Sequence, residues 1–117
     1  MIDTILWETM LPDCYNDGST INRLTINKLL EDVARHFGGY TLSGPCRGCY
    51  VNRETGMTQV ESVRRLIVAC PRRQLEDARY MAENIGRELR QNVVYFSWWP
   101  SNVELIKTGW TEPRTER

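Results

Sequence analysis

The residues best suited to chemistry are a phenol and a carboxylate, Tyr50 and Glu61, with Gly48 just ahead of them. Glu61 lies between Val60 and Val63 in a run of β-type residues. Successive strand side chains point to opposite faces, so Glu61 faces away from Val60, Leu66 and Val68. Whether Tyr50 shares its face depends on how two strands pair. If Asn52 pairs with Met57, Gly48 falls opposite Glu61 and Tyr50 opposite Gln59. Tyr50 and Glu61 are then diagonal neighbours beside a gap left by glycine. If Val51 pairs with Met57 instead, the two point to opposite faces. Both registers stand at this point, as does the plainer reading of a surface glutamate and a structural tyrosine.

Other reactive groups invite less. Cys46-Arg47-Gly48-Cys49 is a CxxC, but a redox pair needs a helix N-terminus to lower the first thiol's pKa. This one lies inside an expected strand, where residues three apart point to opposite faces. A closed zinc site would have to recruit Cys14 or Cys70, because His36 is the sole histidine. Free thiols and no metal are therefore expected. His36 falls near the end of an expected helix, where a positive charge is favourable. Arg64-Arg65 and Arg72-Arg73 read as solvated charge or as partners for Glu61 and Asp77, with an anion contact at a subunit seam as the rarer reading. Gly38-Gly39-Tyr40-Thr41 reads first as a helix C-cap, and otherwise as a turn that meets phosphate or adenine.

The elements that must position these groups follow from periodicity. Ile2 to Met10 reads as a strand ended by Pro12. Ile21, Leu24, Leu29, Leu30, Val33, Ala34 and Phe37 recur at helical spacing, capped by Ser19, Thr20 or Thr25 and stopped by Gly38-Gly39. Tyr40 to Val51 is a second strand, with Gly44-Pro45 and Gly48 marking a bulge or a close backbone approach. Asn52 to Gly56 is a hairpin loop, and Met57 to Cys70 is a third strand. Pro71 opens a second helix with Leu75, Ala78, Ala82, Ile85 and Leu89 on one stripe. Val93 to Trp99 is a fourth strand, stopped by Pro100. The tail adds at most an edge strand at Val103 to Ile106, and Thr111 to Arg117 reads as disordered.

The order βαββαβ is that of an α+β, ferredoxin-like split βαβ domain over residues 1–100, with residues 101–117 as a tail. Two helices cover one face of a four-stranded antiparallel sheet. The other face must be wet, ligand-lined or covered by another subunit. Alternation puts Val94, Phe96 and Trp98 on one side and Tyr95 and Trp99 on the other. Large apolar groups on both faces point to a homo-oligomer.

The 117 residues suit one domain, and 41% of them are hydrophobic. Lys plus Arg and Asp plus Glu each total 15, so the formal charge is zero. A neutral chain gains little from counterion release, which argues against nucleic acid and anionic membranes as partners. No apolar run approaches the ~20 residues of a membrane span. Met1 to Glu8 lacks a basic leader, so a cytoplasmic location is expected.

The element order, the Gly-Gly-Tyr-Thr turn and Gly48-Cys49-Tyr50 followed by Glu61 carry a resemblance. So do the apolar strand ending in Cys70, Ala78-Arg79 and Val93-Val94-Tyr95. The chain resembles the PII-like superfamily of trimeric ferredoxin-like proteins. Within it, it looks like the phage-encoded S-adenosylmethionine lyases, once called hydrolases. The resemblance implies a trimer and a site at the subunit seam. It also implies a lyase step giving methylthioadenosine and homoserine lactone, without cofactor. Carried over, Glu61 pairs with the substrate's ammonium or sulfonium and Tyr50 orients the methionine part. The adenosine is expected beside Gly39, Tyr40, Gly48 and Trp98. Two other readings fit the same residues. One is a PII-like sensor of a nucleotide or metabolite without catalysis, and the other is a structural or inhibitory oligomer.

Overall fold

The computed structural model describes residues 3–113. The expected strand start at Ile2 and the tail's last residues, 114–117, lie outside them. The elements are β1 (Thr4–Pro12), α1 (Arg23–Phe37), β2 (Thr41–Val51), β3 (Thr58–Pro71), α2 (Leu75–Glu88) and β4 (Ser97–Pro100). A 3₁₀ turn, Arg72–Gln74, leads into α2. All pairings are antiparallel, in the sheet order β2-β3-β1-β4. This is the expected α+β split βαβ arrangement.

Both helices pack on one face. Ile5, Trp7 and Leu11 of β1 alternate onto it and meet Leu66, Val68 and Cys70 of β3. Leu29, Leu30 and Val33 of α1 and Ala78, Ile85 and Leu89 of α2 close the core. Trp7 is fully buried, with Phe37 edge-on at 5.2 Å and Phe96 at 5.9 Å. Burying such an indole is among the largest single contributions a small core receives.

Local chemistry sets the ends. Asn22 caps α1 by accepting from the Leu24 amide, in place of the expected Ser19, Thr20 or Thr25. Gly38, at φ 93°, ends it as expected by donating its N–H to the Ala34 carbonyl. Pro71 ends β3 instead of opening α2.

The fourth strand is shorter than expected, because residues 93–96 are not paired in the sheet. Val94 sits where a Cβ on Gly86 of α2 would come within 3.0 Å of it. The Tyr95 carbonyl accepts from Thr9 Oγ1 at 2.6 Å. The segment is thus held by packing and a side-chain bond, not by a ladder. Past Pro100 no regular element forms through residue 113, and the expected edge strand at Val103 to Ile106 is absent.

Candidate active site

The β2–β3 pairing runs past the end of β1, whose last pair is Pro12 with Val63. Beyond that level the two strands form a free arm closed by Asn52 to Met57. The Asn52 amide donates to the Met57 carbonyl at 2.8 Å, and Asn52 Oδ1 accepts from the amides of Glu54 and Thr55. A turn fixed in this way fixes the register behind it.

That register sets Gly48 opposite Glu61, Tyr50 opposite Gln59 and Val51 opposite Thr58. Tyr50 and Glu61 therefore share a face as diagonal neighbours, a separation that aromatic and long side chains can span. Gly48 leaves the space between them. A Cβ there would lie 3.8 Å from Glu61 Cγ and 3.7 Å from both Val63 methyls.

A β-bulge makes the arrangement possible. Between Ser43 and Cys46 the register of β2 shifts, at the expected Gly44-Pro45. Upstream, Leu42 pairs with Leu66 on the helix-covered face. Carried on unchanged, that register would turn Tyr50 to Leu42's face. Gly44 has φ 134°, and a Cβ on it would lie 3.1 Å from the Val63 carbonyl oxygen and 3.2 Å from Arg64 Cα. Only glycine fits.

Glu61 is half-buried and makes no ion pair or hydrogen bond among the described residues. It lines an open depression of about 380 Å³ with Pro45, Cys46, Arg47, Val60 and Ser62. The other expected contacts lie elsewhere in the same chain. Tyr40 precedes Thr41, which pairs with Ile67, so Gly39 and Tyr40 are roughly 20 Å along the sheet from Glu61. Trp98 pairs with Trp7, packs against the core and lies under the Arg72 guanidinium at 5.3 Å. One chain thus brings together Gly48, Tyr50 and Glu61, but not Gly39, Tyr40 or Trp98.

The basic pairs find other partners than expected. Arg64 meets Asp13 at 3.5 Å, and Arg65 donates from Nε to Glu8 Oε1 at 2.5 Å. The hydrogen bond that Arg65 donates to Glu8, then the charge of Glu8, hold the Arg65 pKa above the ordinary guanidinium value. Glu8 is only 5% exposed although it lies on the face without helices. Sequence reasoning passed over it. The signal was a lone carboxylate among β1's apolar residues, which has to be paired when buried. His36 Nε2 lies 3.2 Å from Asp77 Oδ2, joining the C-terminus of α1 to the first turn of α2.

Cys46 pairs with Val63 and Cys49 with Val60, on opposite faces as expected. All four cysteines are free, and no cluster able to hold a metal occurs among the described residues. No helix among these residues is long and apolar enough to cross a membrane.

The fold has solved counterparts. A phage SAM lyase in complex with S-methyl-5'-thioadenosine superposes with TM-score 0.69 at 12% identity, over 96% of this chain and 95% of that one. CutA1 from Oryza sativa gives 0.64 at 12% identity, over 89% and 84%. The GlnK–ATP complex of B. subtilis gives 0.56 at 12% identity, over 85% and 83%. This chain has the PII-like fold. No family model matches it, and no curated protein matches it by sequence. At such identities the PII-like likeness is one of architecture, and activity has to be argued from the site.

Proposed function

We propose that this protein is an S-adenosylmethionine lyase, working as a homo-oligomer, with a trimer favoured, at sites between subunits. The observation that carries the reading is the arm's register. It puts on one face, beside a glycine gap, a phenol and a carboxylate that makes no ion pair among the described residues, in the fold of a phage SAM lyase.

In the reaction the substrate's carboxylate attacks its own γ-carbon. The carbon–oxygen bond forms as the carbon–sulfur bond breaks. The sulfur keeps the bonding pair and leaves as neutral methylthioadenosine, and homoserine lactone remains. No acid or metal is needed, because a sulfonium is already a good leaving group. The carboxylate and the sulfonium both lose charge as the reaction proceeds, so removing water favours the transition state. The ammonium keeps its charge throughout. Glu61 belongs on that group, since a carboxylate on the sulfonium would stabilise the ground state more than the transition state. Tyr50 orients the methionine part through its hydroxyl or ring, holding the nucleophile in line.

The test is direct. Purified protein is incubated with S-adenosylmethionine, and the products are separated. Methylthioadenosine and homoserine lactone in equal amounts support the lyase. Binding of S-adenosylmethionine without either product would make the chain a binding module in the manner of a sensor.

A further inference from the structure

The depression beside Glu61 is open to solvent, yet the proposed chemistry needs a dry site and an aromatic surface for the adenine. The residues expected to supply that surface, Tyr40 and Trp98, lie far from it within the same chain. Another aromatic is exposed in its own subunit. Trp110 is 68% exposed, on a tail whose Leu105 and Ile106 are 95% and 75% exposed. Such a row of bare apolar groups marks a contact surface.

The tail cannot serve its own site. β4 runs antiparallel to β1 and ends with Pro100 opposite Ile5, at the edge of the sheet remote from the arm. Ser101 continues that way, donating its amide to the Thr4 carbonyl at 3.1 Å. Ile5 pairs with Cys70, and from Cys70 back to Glu61 along β3 is about 30 Å. Even fully stretched, Pro100 to Trp110 spans roughly 33–36 Å. The tail first heads away and then turns at Thr108 to Trp110. There Gly109 has φ 81°, and the Trp110 amide donates to Thr108 Oγ1 at 3.2 Å. It has no slack to double back.

The two apolar appendages, arm and tail, thus leave opposite ends of one sheet. They account for a radius of gyration of 17.5 Å, against about 13 Å for a compact chain of this size. A contact between unlike patches at opposite ends is heterologous, and it forms a ring where its rotation closes.

We infer that the C-terminal tail of one copy, Val103 to Trp110, closes over the depression that Glu61 lines in the next. Trp110 supplies the face on which the adenine stacks. The inference rests on the proposed lyase site, and its test separates the two. The chain is cut after Ser101, which removes nothing that the sheet or core uses. That variant is assayed alone, then after being unfolded and refolded together with full-length Glu61→Gln. Each alone loses methylthioadenosine release. In mixed rings the Glu61→Gln copy lends its tail to a shortened copy with an intact Glu61, and activity returns. A shortened protein as active as the full chain, or a mixture no more active than its parts, overturns the inference and leaves the lyase standing.

Trp110→Ala keeps the rest of the tail and weakens methylthioadenosine binding about 10-fold by equilibrium dialysis. If the full chain releases no methylthioadenosine, the lyase reading fails. The tail is then judged by dialysis alone, and equal affinity in the full and shortened chains overturns it.

Discussion

The two faces of this sheet are built under different rules. On the covered face Ile5, Trp7, Leu66, Val68 and Cys70 are sealed by α1 and α2, and each position is fixed by the water it excludes. On the arm there is no helix to choose a face. Tyr50, Val51, Met57 and Val60 are all exposed, and orientation is set by backbone alone: the Asn52 turn and the Gly44 bulge. Burial therefore holds the fold, whereas register holds the site. Changes on one side should show in stability, and changes on the other in ligand binding.

The largest expected effect lies in the core. Trp7→Ala should cost about 3–5 kcal/mol of unfolding free energy in urea, since the hole left beneath Phe37 and Phe96 cannot close. A loss below about 1 kcal/mol would mean that the arm, not the core, carries the fold.

Gly44→Ala sits where the two rules meet. A methyl group pressed on the Val63 carbonyl at φ 134° should cost about 1–3 kcal/mol and loosen the bulge. Methylthioadenosine affinity, measured by calorimetry, should fall with it as Tyr50 slips to the wrong face. Unchanged affinity would detach the bulge from the site. On the arm itself, Gly48→Leu should block the gap beside Glu61 and weaken the same ligand at least about 10-fold. The melting temperature should stay within a few degrees.

The smallest effect is a pH slope. Burial pushes the Cys70 thiol above its ordinary value near 9.0, although the neighbouring Trp7 side chain pulls it down. The unfolded chain releases that proton at lower pH than the folded one. Stability is therefore present in full below the unfolded value and is lost as pH rises toward the folded one. Urea midpoints at pH 8 and pH 10 should show the decline, and Cys70→Ala should flatten it.

The same division explains what the sequence made legible. The helical stripes, the Gly38 stop and the alternation through Leu66, Val68 and Cys70 could be read because burial writes a period into residue choice. The register could only be narrowed to two, because an exposed arm leaves no such mark. Val93 to Phe96 looked like strand because Val94 and Phe96 are apolar. They spend that apolarity on α2 and Trp7, a choice visible only in three dimensions. Asn22 was missed as a cap because Ser19, Thr20 and Thr25 offered equal chemistry nearby. Glu8 and Arg65 meet across two strands, far apart in the chain, so their pairing had no local signal. Within one chain the expected adenine contacts stand apart, because Tyr40 and Trp98 flank opposite edges of the sheet.

The proposed activity depends on Glu61, and one comparison tests that dependence most directly. Wild type and Glu61→Gln are brought to the same oligomeric state and concentration and given S-adenosylmethionine, and methylthioadenosine is followed over time. The variant should keep its melting temperature and lose roughly 100-fold in kcat/KM, the worth of a charge-assisted contact to the ammonium. Equal rates from both proteins would contradict it.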